Sequence, residues 1–312
     1  MVERPLLPPW YRLADLGDAL ALEHGQAVVR LDGAAAKKLV PQLLPLLDGT
    51  RSVDEIVACL GERIRPAVVH ALQLLEEHGV LRDGSAEADG ADTVARLLAA
   101  GGPRRSEAEL GRVLAAAHVA VAGTGRPAAE AARALRATGI ATVSRAEWSH
   151  APSVDLVVVA PVRDEAGRLA GWNRVALAAK APWLQVLPFD GRFAAVGPLF
   201  LPGETCCHAC YALRRRANVP YPDEFEAIEA APSGAATPPP LLSVLVGLAA
   251  LLAARWLATA DAALPGRLFA VELRRGLAVE SHHVYRVPRC PTCAGASVRP
   301  LPWFKETGAA VA

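Results

Sequence analysis

Two widely separated cysteine pairs constrain this sequence more than any other feature. Each pair has the spacing Cys-x-x-Cys, and about eighty residues separate the thiols of Cys207 and Cys210 from those of Cys290 and Cys293. Four thiolates are the full ligand set of a closed tetrahedral zinc site. Because closing so long a loop costs chain entropy, a metal that joins the two segments would stabilise the fold. We predict a structural zinc ion, since nothing in the sequence indicates the open coordination position of a catalytic one.

The alternatives to this ligand set are a different cysteine, a disulfide pair or inert buried thiols. Cys206 competes with Cys207, but its spacing to Cys210 is the less usual one, and we prefer Cys207. Six cysteines, four of them in the two pairs, fit a reducing cytosol better than a disulfide framework. Residues 1–5 lack the basic and apolar segments of a signal peptide. We therefore predict a cytoplasmic protein.

Size and charge exclude some classes of protein. At 312 residues the chain is long enough for two domains, each with its own core. A formal net charge of +1, without a domain-wide basic patch, argues against nucleic-acid binding. The apolar run from Val244 to Ala254 raises the question of a membrane span, but Arg255 interrupts it short of the ~20 residues that a span needs. We predict a core helix over residues 241–260 and no membrane partner.

The first 83 residues predict a small domain of strands followed by helices. Apolar segments predict the strands, and apolar spacing of three to four residues predicts the helices. Ser52 and Glu55 form the pattern of a capping box at one helix start. This order of elements is typical of a winged helix-turn-helix fold. The predicted elements are strands over 19–24 and 26–31, helices over 34–47, from Ser52 and after Pro66, and a short strand at 80–81.

Winged helix-turn-helix folds often bind DNA, but the third predicted helix does not suit that role. Gln73, Glu76 and Glu77 lie on its outward face, where carboxylates would repel phosphates. The alternative is a groove between a strand edge and this helix that binds a peptide, because an exposed edge adds a strand through main-chain hydrogen bonds. We prefer peptide binding; a winged-helix regulator would instead show salt-dependent binding to duplex DNA.

The same segment resembles the leader-peptide recognition domain of proteins that modify ribosomally synthesised peptides (RiPPs). The resemblance rests on residues 46–56 (LLDGTRSVDEI) and 72–81 (LQLLEEHGVL), and covers most of residues 10–83. It implies that a leader peptide docks along the last strand and the third helix. The alternative for each contact position is an ordinary core or solvent-exposed role. The implied contact residues are Val28, Val29, Arg30, Leu72, Gln73 and Glu76.

A small, polar, glycine-rich stretch over residues 84–104 predicts a linker between two domains. After it, strand and helix patterns alternate over residues 105–298, and a tail follows over 299–312. Such alternation predicts a doubly wound α/β sheet. The predicted elements are strands over 119–122, 140–143, 154–160, 183–187 and 193–196, and a helix over 128–137.

The turn after the first of these strands has the Gly-x-Gly-x-x-Ala pattern of a phosphate-binding loop. Gly123 and Gly125 lie between a strand and a helix, where backbone N–H groups can hold a phosphate. Pro127 removes one of these N–H groups and also suits an ordinary helix start. The pattern therefore leaves open both nucleotide binding at Gly123 and Gly125 and an ordinary turn.

Residues 105–298 resemble the ThiF/E1 superfamily, whose enzymes adenylate a carboxyl group with ATP and magnesium. Those enzymes place an acidic residue, an Arg and a Lys around the nucleotide. Here Pro161-Val162 replaces the acidic-Asn step after the strand over 154–160, and Asp164 is typical of a solvent-exposed loop. ATP binding by this chain is therefore not expected. The resemblance rests on the glycine-rich turn, Trp172-Asn173-Arg174, Pro202-Gly203-Glu204-Thr205 before Cys206-Cys207, the apolar helix after Pro238-Pro239-Pro240, and the two cysteine pairs.

A leader-recognition domain joined to such a domain resembles the E1-like partner proteins of azole- and azoline-forming pathways, including the ThiF-like form of thiopeptide gene clusters. In that family the partner protein binds the leader of the precursor. It presents core Cys, Ser or Thr residues to a separate YcaO cyclodehydratase, which uses ATP to form azolines. The resemblance implies a non-catalytic, substrate-presenting subunit that raises local substrate concentration, and a homodimer formed through the E1-like domain. The alternative is a zinc-containing E1-like enzyme that adenylates a peptide or carrier-protein C-terminus.

Overall fold

The computed structural model describes residues 2–7, 11–24, 27–84, 93–100, 107–231, 235–273 and 278–294. The chain divides into two compact units, Met1–Val113 and Leu114–Ala312. The predicted tail over 299–312 lies outside the described residues, as does most of the predicted linker over 84–104.

The first unit consists of short strands followed by helices. Its elements in chain order are β1 (Pro5–Leu6), β2 (Arg12–Asp15), β3 (Ala19–His24), β4 (Ala27–Asp32), α1 (Ala34–Leu43), α2 (Val53–Leu60), α3 (Arg65–Glu77), β5 (Arg82–Asp83), α4 (Thr93–Ala100) and α5 (Glu107–Ala116), which continues into the second unit. β2, β3 and β4 form an antiparallel sheet with β3 in the centre. Among the described strands, β4 therefore has a free edge.

An apolar core joins this sheet to the three central helices. Leu22 of β3, Leu43 of α1, Ile56 of α2 and Leu72 of α3 are fully or almost fully buried in one cluster. The apolar stripe of each helix supplies these residues, because residues three or four apart lie on one helix face. The order of strands and helices in this part of the unit matches the prediction; its description as a winged helix-turn-helix stays a prediction.

Local signals explain the ends of two helices. α2 begins with the predicted capping box: the Glu55 N–H donates to the Ser52 hydroxyl (3.2 Å), and the Ser52 N–H donates to the Glu55 carboxylate (2.7 Å). α1 ends at Leu43, before the predicted end at residue 47. Pro45 has no N–H to continue the helix, and a 3-10 turn over Leu44–Leu46 follows.

The structure corrects the positions of the short strands in this unit. Val80 and Leu81 are buried core residues and not a strand. The strand β5 begins after them and pairs antiparallel with β1. β2 has no predicted counterpart, because all four of its residues are exposed and it lacks an alternating apolar pattern.

The second unit is built on a seven-stranded sheet. Its elements are β6 (His118–Ala122), α6 (Gly125–Arg136), β7 (Thr142–Ala146), β8 (Leu156–Val159), a 3-10 helix (Arg163–Arg168), α7 (Leu169–Ala179), β9 (Trp183–Leu187), β10 (Phe193–Phe200), α8 (His208–Ala217), α9 (Phe225–Ala230), α10 (Pro239–Thr259), β11 (Arg267–Glu272) and β12 (Ala278–His283). The strand order is β12-β11-β10-β9-β8-β6-β7.

This sheet is mixed, and only part of it follows the predicted doubly wound pattern. β6, β7, β8 and β9 pair in parallel, whereas β10, β11 and β12 join the sheet antiparallel. The sequence predicts β6 to β10 but not the last two strands. β12 is largely exposed and therefore lacks the continuous apolar run of a buried strand.

Helices cover both faces of the sheet. Successive strand residues point to opposite faces, so Trp183 and Phe200 lie in one apolar cluster with Trp172 of α7. Their neighbours Leu184 and Leu199 line the opposite face beside α10. Of the parallel strands, β6, β8 and β9 are largely buried, which explains their mostly apolar sequences, whereas β7 at the edge of the sheet is partly exposed.

The helix α10 is the apolar segment that raised the question of a membrane span. By length and composition it is able to cross a membrane, with a mean hydropathy of 2.1 over an 18-residue window, half of which is buried. In the structure it packs on β9, β10 and α6. It therefore has the predicted place of a core helix in the second unit.

Candidate functional site

The structure brings the two cysteine pairs together in the second unit. The Sγ atoms of Cys207, Cys210, Cys290 and Cys293 all lie within 4.8 Å of one another. The distances are 3.5 Å from Cys210 to Cys293, 3.7 Å from Cys207 to Cys290 and 3.9 Å from Cys207 to Cys210. Cys206 is also buried but does not belong to this group.

These distances fit a tetrahedral metal site. With metal–sulfur bonds of about 2.3 Å, the sulfurs of a zinc–thiolate tetrahedron lie about 3.8 Å apart. A disulfide would bring two of them to about 2.05 Å, and all four thiols are free. One sulfur from each cysteine completes the coordination of one ion. The group can therefore hold a metal ion in a closed site of the structural kind.

Two local structures position the sulfurs. Cys207 is the N-cap residue of α8 and Cys210 lies in the first turn of that helix. The second pair lies in turns after β12, where the Cys290 N–H donates to the carbonyl of Val287 (3.1 Å) and the Ala294 N–H donates to the carbonyl of Cys290 (3.0 Å). The Val287 N–H also donates to the sulfur of Cys210 (3.3 Å), which links the two structures directly.

Two arginines hold the same segments together. Arg214 of α8 donates through Nε to the carbonyl of Tyr285 (2.7 Å). Arg286 donates to the carbonyl of Gly203, which precedes the first cysteine pair, and to the carbonyl of Cys293 in the second pair. Four thiolates around a divalent cation carry net negative charge, so neighbouring guanidinium groups also favour the loaded site electrostatically.

Burial opposes the charged form of most of these thiols. It raises the pKa of Cys293 to about 11 and the pKa of Cys206 to about 12. A hydrogen bond from the Cys207 thiol to the sulfur of Cys210 raises the pKa of Cys207 and lowers that of Cys210 to about 4. Four thiolates in this place therefore need a compensating positive charge, which a bound metal ion would supply.

A buried polar group anchors α8 beside the cysteines. The backbone N–H of His208 donates to the side-chain oxygen of Asn173 on α7 (3.0 Å), and Nδ1 of His208 lies 3.0 Å from Oε1 of Gln185 on β9. Burial lowers the pKa of His208 to about 4, so its ring is neutral at neutral pH. Sequence motifs did not identify this hydrogen-bonded group. The one indication in the sequence was Gln185, a polar residue inside an otherwise apolar strand.

The glycine-rich turn between β6 and α6 is tightly packed. Gly123 has a φ of +126°, and a Cβ atom there would lie 2.3 Å from the carbonyl oxygen of Ala160; Gly125 has a φ of +64°. The Thr124 N–H between them donates to the carboxylate of Glu165 (3.0 Å). Both glycines therefore have a structural reason to be glycine that does not involve a nucleotide.

A cavity of about 450 Å³ lies beside this turn, at the carboxyl ends of β6 and β7. The guanidinium of Arg168 stacks over the ring of Trp148, 4.8 Å from its centroid. The cavity is thus both charged and aromatic. Its lining consists of Gly123, Thr124, Arg145, Ala146, Glu147, Trp148, Ser149 and Arg168.

Three of the predicted leader contacts lie on the edge strand β4 of the first unit. The side chain of Val28 is 61% exposed, although it is apolar, and Val29 packs partly into the core. Arg30 is exposed and forms ion pairs with Asp18 (2.7 Å) and Asp32 (2.8 Å). The strand therefore offers an exposed apolar side chain and an edge that no other described strand pairs with.

The other three predicted contacts lie on α3. Gln73 is exposed and Glu76 is half-buried. Leu72 is fully buried in the core of the unit, so its side chain supports the helix from inside and does not lie on the exposed face with Gln73. The buried position follows from the apolar stripe of α3, in which Leu72 lies between Val68 and Leu75.

Comparison with known proteins gives matches at the level of structure. No protein-family model and no curated protein sequence matches the chain. The heterocyclase TruD superposes with a TM-score of 0.69 and 27% identity over 93% of this chain and 43% of the TruD chain. A heterocyclase in complex with substrate and cofactor gives a TM-score of 0.67 and 25% identity over 93% of this chain and 39% of that one.

MccB of E. coli has the same fold across almost its whole length. Its structures with ATP and with N-formylated MccA give TM-scores of 0.62 and 0.61 at 15% identity, over 93% of this chain and 99% of MccB. The chain spans less than half the length of the heterocyclase chains that it matches. It therefore shares its fold with MccB and with one part of a heterocyclase.

Proposed function

We propose that this chain takes part in RiPP maturation as a leader-binding subunit that presents a precursor peptide to a YcaO cyclodehydratase. The observation that carries the proposal is the match to heterocyclase TruD over 93% of this chain. The match takes in 43% of TruD. In this proposal the subunit is cytoplasmic and homodimeric, and it binds neither nucleic acid nor membrane.

In this proposal the leader adds a strand to the free edge of β4 and contacts the exposed face of α3. Main-chain hydrogen bonds would supply affinity, and side chains beside the edge would supply selectivity. The exposed Val28 supports this assignment, because burying an apolar side chain of that size contributes about 1.5 kcal/mol or more. Val28, Val29, Arg30, Gln73 and Glu76 are the proposed contacts, with Leu72 supporting them from the core.

The metal in this proposal is zinc in a structural role. Tetrahedral coordination by four thiolates is typical of zinc, and the sulfur distances agree with it. Cys207, Cys210, Cys290 and Cys293 are the proposed ligands. The ion joins the start of α8 to the segment after β12, and takes no part in a reaction.

Leader binding is tested by fluorescence polarisation of the full chain with a labelled leader from the precursor gene beside its own. We expect Val28→Glu to weaken binding about tenfold or more, because a charge replaces a buried apolar contact and disfavours strand addition. Leu13→Glu is the matched control, since Leu13 is an exposed apolar residue on β2 at the opposite edge of the same sheet. Equal effects of the two changes, or no binding by the unchanged chain, would rule out this site.

The alternative function is an E1-like enzyme that adenylates a peptide or carrier-protein C-terminus. The MccB fold, which has been solved with ATP, is the observation in its favour. The carboxylate of Glu165 on the Thr124 N–H is the observation against it. The alternative requires ATP–pyrophosphate exchange by this chain alone, and the substrate-presenting function requires none.

A further inference from the structure

The carboxylate of Glu165 binds one backbone N–H of the glycine-rich turn and one backbone N–H of the segment after β8. Its Oε2 accepts hydrogen bonds from the N–H of Thr124 (3.0 Å) and from the N–H of Val162 (3.4 Å). Its Oε1 lies 3.4 Å from the guanidinium of Arg168. Although it is charged, Glu165 is only 9% exposed. These hydrogen bonds and the ion pair with Arg168 offset the free-energy cost of burying the carboxylate.

The place that Glu165 occupies is electrostatically suited to an anion. Thr124 is the N-cap residue of α6, a helix of 12 residues, and backbone N–H groups at a helix start carry partial positive charge. In strand-turn-helix folds this is where a phosphate binds. Here the negative charge comes from the chain itself, through a 3-10 helix that follows β8.

Space alone does not exclude a nucleotide. A cavity of about 450 Å³ lies beside the turn, and Arg145 and Arg168 in its lining carry positive charge. A ligand phosphate at the turn would, however, meet the Glu165 carboxylate at the Thr124 N–H, and like charges at contact distance repel strongly in a partly buried place. The carboxylate would have to leave before a phosphate could bind.

We infer that Glu165 is an internal substitute for a nucleotide phosphate, so that this chain excludes nucleotides by occupying their phosphate site with its own carboxylate. The turn and the cavity are thus both present in this chain, while the phosphate position beside them is filled from within. This role of Glu165 does not depend on leader binding and holds for any function of the first unit.

The test compares nucleotide binding by the full chain and by two variants. Isothermal titration with ADP and Mg²⁺, and separately with inorganic pyrophosphate, measures the association constants. The unchanged chain should not bind either probe at millimolar concentration. Glu165→Ala removes charge and bulk and should give measurable binding, with an association constant about tenfold or more above the detection limit, and Glu165→Gln, which removes only the charge, should give weaker binding.

Asp164→Asn is the matched control, because it removes a charge from the same 3-10 helix at an exposed position. Like the unchanged chain, this variant should bind neither probe at millimolar concentration. ADP binding by the unchanged chain would overturn the inference, and so would a Glu165→Ala variant that melts like the parent but binds neither probe. Amide exchange is a second measurement that needs no variant: the Thr124 N–H should exchange slowly in the unchanged chain, and fast exchange would also overturn the inference.

Discussion

At the scale of single residues, Gly123 illustrates how packing can account for a motif that sequence patterns associate with nucleotides. A Cβ atom at this position would approach the carbonyl oxygen of Ala160 to 2.3 Å, and the φ of +126° disfavours any side chain. We expect Gly123→Ala to lower the free energy of unfolding by about 3 kcal/mol, through steric clash and backbone strain together. Urea denaturation measures the change.

Gly191→Ala separates the effect of steric clash from the effect of backbone strain. Gly191 has a similar φ of +101°, but nothing beyond its chain neighbours lies within 4 Å of the position that a Cβ atom would take. Its substitution should cost only the strain, about 1 kcal/mol. An equal loss in both variants would show that close packing on Ala160 is not what requires Gly123.

At the scale of elements, α8 connects the two halves of the cysteine group. Its N-terminus carries the first pair, and Arg214 reaches from its last turn to the carbonyl of Tyr285 in the segment that carries the second pair. We expect Arg214→Ala to lower zinc affinity about tenfold, because residues that orient a metal site typically contribute about 10–100-fold. Competition with a chromophoric chelator measures the affinity.

The same helix provides the control. Arg216 donates to the carbonyl of Pro222 and pairs with Glu226, away from the cysteines. Arg216→Ala should therefore leave zinc affinity unchanged. If both variants lose affinity equally, the effect comes from the helix in general and not from the link to Tyr285.

At the scale of the whole molecule, the proposed zinc site and the proposed leader site belong to different compact units. We expect Cys290→Ala to abolish stoichiometric zinc and to destabilise the second unit by about 3 kcal/mol or more, while leader affinity changes little. Elemental analysis, thermal melting and fluorescence polarisation measure the three quantities. Cys59→Ala, a change at an exposed thiol outside the cluster, is the control. Lost leader affinity with zinc and fold retained would contradict the structural role.

Local sequence signals determined much of the first unit and the parallel part of the second. The capping box of Ser52 and Glu55, the apolar stripes of the helices and the continuous apolar strands depend on neighbours a few residues away. Such patterns are therefore legible in the sequence itself. Leu72 shows the limit of such patterns. The apolar spacing identified its helix, but in the structure its side chain is buried in the core and does not lie on the proposed contact face.

By itself, the sequence determined which cysteines were candidate ligands, because ligand type and Cys-x-x-Cys spacing are local properties. Only the tertiary structure decided that all four sulfurs meet within 4.8 Å, since that depends on how β11 and β12 return the second pair to α8. The tertiary structure also decided which group binds the backbone N–H of Thr124 in the glycine-rich turn. Glu165 is distant from Thr124 in sequence, and only folding brings a buried carboxylate to the helix start, where its charge takes the place available to a phosphate.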